Sequence, residues 1–154
     1  MTLRYESLWH MGSLFRWHAS AADNGGAYAL AEVEVRAGCE PPPHTHTHED
    51  ESFFVIEGEV EFTIDGRPLR AGPSTLAFLP RGKTHAFRVL SPRARMVMMI
   101  TPGGLEAAFR ASSEPAERDE LPPPPEGPPP LAVIERLLAV QGERGVRFER
   151  EVGR

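Results

Sequence analysis

Stretches in which apolar and polar residues alternate dominate the chain between residues 8 and 100. Alternation predicts β-strands, because successive side chains of a strand point to opposite faces of the sheet. Residues 28–35 alternate in this way, and residues 59–64 alternate acids with apolar side chains before the hairpin turn Asp65-Gly66. The predicted strands cover residues 28–35, 52–56, 59–64, 67–69, 74–79, 86–90 and 93–100.

Short strands separated by Gly and Pro are typical of an antiparallel barrel or sandwich. No helical periodicity occurs before Gly103, which argues against alternating strands and helices. We therefore predict an all-β fold with short helices at its C-terminal end. The side chains expected in its interior are Phe53, Val55, Phe62, Phe78, Phe87, Met96 and Met98.

The pattern changes after Gly103. Residues 105–111 suit a short helix, and residues 112–130 hold eight of the sixteen prolines, which predicts an extended linker without packed structure. Residues 131–141 are amphipathic, so this second helix should dock its apolar side on the barrel or on a partner subunit. The predicted units are a β-barrel domain at 1–111, a Pro-rich linker at 112–130, and a C-terminal helix and tail at 131–154.

Composition and charge narrow the possible partners. A net charge of -5 argues against a nucleic-acid partner, which usually meets a basic face. The sequence contains neither an apolar run long enough to span a membrane nor an N-terminal secretion signal, so a cytoplasmic location is expected. The single cysteine, Cys39, should be a partly buried thiol, with a ligand or redox role as the alternative.

Candidate metal ligands cluster in two places, at residues 44–51 and at His85. Residues two apart in a strand face the same way, so His44 and His46 can converge on one ion. Glu51 follows after a short turn and can add a carboxylate oxygen, and His85 can approach from the other side of a barrel. The predicted metal ligands are His44, His46, Glu51 and His85.

Three imidazoles and one carboxylate suit a single divalent transition metal, with Fe, Mn, Ni, Zn and Cu all acceptable. Four protein ligands leave open positions on a five- or six-coordinate ion, where a small-molecule substrate can bind. His48 could replace or supplement a ligand, because it continues the two-residue spacing of His44 and His46. A histidine at such a turn is more commonly exposed to solvent. Glu49 or Asp50 could replace Glu51 if the turn were shorter, but both are expected at the rim.

The spacing of these residues resembles the two motifs of the cupin superfamily, and specifically the small single-domain quercetin-dioxygenase-like cupins. The first motif is matched by Gly38, His44, His46, Glu51 and Gly58. The second is matched by Pro80, Gly82 and His85, but Ser74 stands at its first glycine position and Val89 at its asparagine position. Neither departure removes a metal ligand.

The resemblance implies a cupin-type antiparallel β-barrel, or jelly roll, that binds one divalent metal. It implies a dioxygenase-like enzyme acting on a small enol, phenol or diketone, in which Glu51 is also the catalytic proton acceptor. An isomerase, lyase or hydrolase that uses the metal without oxygen is the alternative, as is a non-catalytic small-molecule-binding module.

The resemblance also implies a homodimer formed partly through residues 1–20, which contain Trp9, Phe15 and Trp17. Around the expected pocket, Arg81 could meet an anionic substrate, although a solvated turn arginine is more common. Tyr28, Trp17 and His18 could reach the cavity mouth, with a structural role favoured for each.

Overall fold

The computed structural model describes residues 5–149. Among them are twelve β-strands, two α-helices and one 3-10 turn, Ala21–Asp23. The strands are β1 (Glu6–His10), β2 (Ser13–Ala19), β3 (Ala29–Arg36), β4 (His44–His46), β5 (Asp50–Glu57), β6 (Val60–Ile64), β7 (Arg67–Ala71), β8 (Leu76–Leu79), β9 (His85–Val89), β10 (Arg93–Thr101), β11 (Glu114–Pro115) and β12 (Val146–Phe148). The helices are α1 (Glu106–Ala111) and α2 (Leu131–Gly142).

The strands form two antiparallel sheets. The larger has the order β11-β1-β2-β3-β10-β5-β8, and the smaller has the order β12-β4-β9-β6-β7. Neighbours that are distant in sequence, such as β3 beside β10, are the mark of a jelly roll. The predicted all-β jelly roll is confirmed, but the two sheets are not joined into a continuous closed barrel.

The core lies between the sheets and follows the predicted alternation. In β10, Ala94, Met96, Met98 and Ile100 are buried at every second position. Five of the predicted interior side chains are buried, and a sixth, Phe87, is partly buried against the core. These five are Phe53, Val55, Phe62, Met96 and Met98.

The prediction for Phe78 is wrong, since 54% of this residue is exposed. β8 is the continuous apolar run Leu76–Leu79, whose composition does not show which face points inward. Pairing with β5 sets the register: Ala77 lies opposite Phe53 and points into the core with Leu79. Phe78 therefore points outward, because a one-residue shift exchanges the two faces of a strand.

The first motif ends at a glycine that the fold requires. Gly58 has φ +91°, and a Cβ there would lie 2.5 Å from the carbonyl oxygen of Arg93. At the second motif, Ser74 adopts φ 66° where the family pattern has glycine. The turn before β8 therefore keeps its left-handed conformation although the glycine is absent, a conformation that costs a non-glycine residue energy.

The Pro-rich segment packs against the larger sheet, which differs from the predicted unpacked linker. Asp119 accepts hydrogen bonds from Tyr5 Oη (2.7 Å), Ser7 Oγ (2.9 Å) and Arg16 Nε (2.8 Å). β11 pairs with β1, which adds backbone hydrogen bonds at the start of the segment. Polar side chains of the sheet thus fix a segment whose composition alone indicates an extended chain; the proposed boundaries between the units remain a prediction.

Two N-terminal aromatic residues take part in the core of their own chain. Phe15 and Trp17 are buried, and both pack against Phe109 of α1. The homodimer expected partly through residues 1–20 remains a prediction. Within residues 5–149, neither helix has the length and hydropathy needed to cross a bilayer.

His10 gives the fold a testable pH dependence. Burial lowers the pKa of His10 to about 4, while its Nδ1 lies 2.9 Å from Ser113 Oγ. Between the unfolded pKa of 6.5 and about 4, only the unfolded chain takes up this proton, so the free energy of unfolding decreases as pH falls. We expect the melting temperature to fall by roughly 5 °C more between pH 7 and pH 5 in the wild type than in His10→Gln. Parallel melting profiles for the two proteins would contradict this assignment.

Candidate metal centre

Three strands of two sheets bring the predicted ligands together. β4 carries His44 and His46, β5 carries Glu51, and β9 carries His85 directly opposite His44 in the β4–β9 pair. One ligand atom from each of the four side chains lies within 4.8 Å of every other, and all four residues are buried. The site therefore lies between the two sheets, with Glu51 on β5 of the larger sheet and the three histidines on β4 and β9 of the smaller sheet. His44 and His46 share one face of β4, as their two-residue spacing predicted.

The turn of the second motif is tied to the strand of the first. Gly82 N donates a hydrogen bond of 2.8 Å to the carbonyl oxygen of His46. Arg81 donates through its backbone N (2.9 Å) and through its guanidinium to the carboxylate of Asp50. These contacts fix the distance between the two halves of the site.

Hydrogen bonds on the outer side of the rings orient two of the imidazoles. His44 Nδ1 lies 2.8 Å from the carbonyl oxygen of Pro42, and His85 Nδ1 lies 3.2 Å from that of Lys83. Because a carbonyl oxygen only accepts, each Nδ1 carries the proton and leaves the Nε2 lone pair for the site. This is the arrangement that metal-ligating histidines adopt.

Beside Nδ1 of His46, the Glu49 carboxylate takes the place that a backbone carbonyl oxygen takes beside His44 and His85. Its Oε2 lies 3.8 Å from His46 Nδ1, and both residues are buried. Neither atom has a hydrogen-bond partner within the described part of the chain. The sequence suggested Glu49 as a rim residue or a substitute ligand, and the structure places it behind a ligand instead.

The charge states suit metal binding. Burial opposes ionisation of Glu51, but the imidazoles of His46 and His85 outweigh it and lower the pKa of this carboxyl to about 2. Burial lowers the pKa of His44 to about 4, so this ring is neutral at pH 7. Burial also opposes the charged form of His46, but Glu51 and Glu49 raise its pKa above the ordinary value. Metal binding would therefore displace a proton from His46.

The inner atoms of the cluster fit a divalent cation. Glu51 Oε2 lies 3.4 Å from His85 Nε2 and 3.7 Å from His46 Nε2. Both ring nitrogens are buried and lack a hydrogen-bond partner among residues 5–149, which is costly unless another group satisfies them. A cation held by one carboxylate and neutral imidazoles would satisfy these atoms, so the residues present fit the metal that the sequence predicted.

The other candidates at this turn lie outside the cluster. His48 is exposed, and the exposed side chain of Arg81 is paired with Asp50. The alternatives in which His48 or Asp50 supplies a ligand are therefore not supported by the geometry. Cys39 is partly buried, as expected, and burial raises the pKa of its thiol, which disfavours the thiolate that binds metal.

A cavity of about 970 Å³ borders the cluster, with His44, His46 and Glu51 among its lining residues. Apolar side chains from both sheets form its walls, including Val33, Phe53, Phe87 and Met98. The C-terminal segment also lines it, through the prolines of 122–130 and one side of α2, which the sequence did not reveal. Tyr28, Trp17, His18 and Arg81 are not among the lining residues.

A family model and two curated proteins match this chain. The cupin domain model matches residues 31–104, which include all four clustered side chains. The quercetin 2,3-dioxygenase of Bacillus subtilis is 26% identical over 113 residues, which are 73% of this chain and 34% of that protein. The dimethylsulfoniopropionate lyase DddQ of Ruegeria pomeroyi is 38% identical over 89 residues, which are 57% of this chain and 42% of that protein. The chain thus spans about a third to two fifths of the length of these two curated relatives.

A solved structure shows the shared fold. KdgF from Halomonas sp. superposes with a TM-score of 0.56 at 20% identity, covering 62% of this chain and 84% of that one. Identity at this level shows the fold alone. The chain therefore contains a cupin domain at residues 31–104, and its jelly-roll topology fits that domain.

Proposed function

We propose that this protein is a metal-dependent, dioxygenase-like enzyme that acts on a small enol, phenol or diketone. The observation that carries the proposal is the buried cluster of three imidazoles and one carboxylate beside a cavity of about 970 Å³. Such a cavity holds a molecule of drug size. The similarity to a quercetin dioxygenase supports the reaction class.

His44, His46, Glu51 and His85 would hold the ion. A divalent metal in this position supplies a Lewis acid that stabilises a deprotonated substrate oxygen. Glu51 supplies the one negative charge of the ligand set, so the loaded site keeps one net positive charge, which favours an anionic oxygen. The apolar walls exclude water, which strengthens this attraction.

For Glu51, the ligand role is better supported than the role of proton acceptor. The pKa of about 2 ensures that the carboxylate is ionised at neutral pH, as a ligand requires. The same low value makes it a weak base. Its predicted catalytic role remains part of the proposal, as a proton acceptor that acts only after it loosens from the ion.

A second candidate is a lyase that uses the same metal site without oxygen. The similarity to dimethylsulfoniopropionate lyase, at 38% identity, favours it. The dioxygenase and lyase hypotheses share ligands and cavity, so they differ only in their need for oxygen and in the substrate.

Oxygen consumption tests the proposal. Protein loaded separately with Fe, Mn, Ni, Zn or Cu is supplied with a flavonol, a catechol and a β-diketone in an oxygen electrode. We expect uptake with at least one metal and none after chelation. The same preparations are incubated with dimethylsulfoniopropionate under nitrogen. Cleavage there, without oxygen uptake in the first assay, would replace the dioxygenase hypothesis by the lyase.

A further inference from the structure

The charged residues that line the cavity restrict the charge that a ligand can carry. No lysine or arginine is among the lining residues that the structure describes. Arg81, in the turn of the second motif, is paired with Asp50. Glu40 lines the cavity, and its carboxylate accepts hydrogen bonds from the backbone N–H groups of Gly38 and Val89. These two N–H dipoles already stabilise its negative charge. A second anionic group on a ligand would find no basic partner in the part of the cavity away from the metal cluster.

The C-terminal segment is fixed over this cavity at both ends. Before α2, Trp9 Nε1 donates to the carbonyl oxygen of Glu120 (2.8 Å), and Arg36 donates to that of Pro122 (3.3 Å). After α2, Thr47 Oγ1 donates to the carbonyl oxygen of Gly145 (2.6 Å), and β12 pairs with the ligand-bearing strand β4. α2 is therefore a positioned wall of the cavity, although it lies outside the residues matched to the cupin domain.

Gln141 is the polar exception on the cavity side of α2. It shares a helix face with Ile134 and Leu137, and all three line the cavity. Only 4% of Gln141 is exposed, and the residue borders the cavity. A side-chain amide both donates and accepts, so at this position Gln141 can hydrogen-bond to a ligand in the cavity.

We propose that Gln141 is a specificity-determining residue that binds an uncharged hydroxyl or carbonyl of the substrate, at a distance from the oxygen that meets the metal. The inference rests on the proposed function and narrows its substrate class. The substrate has an apolar body, one acidic oxygen for the metal, and a second polar group that is neutral. An amide suits this second group because it both donates and accepts.

Equilibrium binding to zinc-loaded protein tests the proposal without turnover. The probes are 3-hydroxyflavone, its derivatives with one added hydroxyl at position 7, 3′ or 4′, and the derivatives that carry a carboxylate in place of that added hydroxyl. In the wild type we expect one hydroxyl derivative to bind about threefold to tenfold more tightly than 3-hydroxyflavone, the range of a single hydrogen bond. Each carboxylate should bind more weakly than its hydroxyl counterpart.

Two variants distinguish a contact between Gln141 and the added hydroxyl from a general loss of affinity for all probes. Gln141→Leu should remove the preference for the hydroxyl while leaving the affinity for 3-hydroxyflavone within about twofold. Glu135→Leu, at an exposed position of the same helix, is the matched control and should retain the preference. Equal losses for all probes in Gln141→Leu, or tightest binding by a carboxylate in the wild type, would overturn the inference and leave the proposed function standing. Binding by none of the probes would overturn both.

Discussion

His46→Ala should weaken the binding of a divalent metal by more than 100-fold, the upper end of the range for residues that only support a ligand. His46 Nε2 lies 3.7 Å from Glu51 Oε2, and its ring is stacked on that of His85 with 5.2 Å between the ring centroids. Removing it leaves three of the four candidate ligands. The measurement is the dissociation constant for zinc or cobalt in competition with a chromophoric chelator.

His48→Ala is the matched control, because it removes the same side chain two residues further along. His48 is exposed and lies outside the cluster, so its loss should change the dissociation constant by less than about twofold. Glu51→Gln provides a second test that leaves the ring packing intact: it removes the negative charge of the ligand set and should also weaken binding more than 100-fold. If His48→Ala weakened binding as much as His46→Ala, the ligand assignment would be wrong.

The sequence was sufficient for the parts of the site that depend on local periodicity. The two-residue spacing of His44 and His46 put both rings on one face of β4, and alternation in β10 identified the buried side. The contact between His44 and His85 depends instead on the pairing of β4 with β9, which the family spacing implied and local patterns did not. Long-range pairing is decided by the whole fold, so periodicity alone cannot supply it.

The features that the sequence missed all depend on contacts between distant segments. Phe78 points outward because of the register with β5. The Pro-rich segment is fixed by Tyr5, Ser7 and Arg16, more than 100 residues away in sequence. Low-complexity composition indicates weak intrinsic structure, but it does not show whether a neighbouring sheet offers hydrogen-bond partners.

Glu49 shows the same limit within the site. In the sequence it is one of three consecutive acids, Glu49, Asp50 and Glu51, and the three are equivalent by composition. The fold gives them different roles: Asp50 binds the second-motif turn through Arg81, Glu51 joins the cluster, and Glu49 lies behind His46. Alternation in β5 places Asp50 and Glu51 on opposite faces, but Glu49 precedes the strand, so alternation does not predict its position.

Glu49→Gln should weaken metal binding about tenfold, and Glu49→Ala nearer 100-fold, the range found for partners of ligand histidines. His44 and His85 each have a carbonyl oxygen at Nδ1, at 2.8 and 3.2 Å, whereas His46 has the Glu49 carboxylate at 3.8 Å. A distance of 3.8 Å exceeds a hydrogen bond, and a small rotation of either side chain would close it. A carboxylate at hydrogen-bonding distance keeps the proton on Nδ1 and makes Nε2 a stronger ligand.

Glu49→Gln should lower metal affinity without lowering the stability of the metal-free protein, a combination that distinguishes a positioning role from a structural one. Without metal, Glu49 is a buried acid whose Oε2 has no hydrogen-bond partner among the described residues, so a neutral glutamine should leave the melting temperature at pH 8 unchanged or raised. The control is Glu57→Gln, a more exposed acid at the end of β5, which should alter neither quantity. If Glu49→Gln lowered the metal-free melting temperature and left the dissociation constant unchanged, Glu49 would support the turn and have no part in orienting His46.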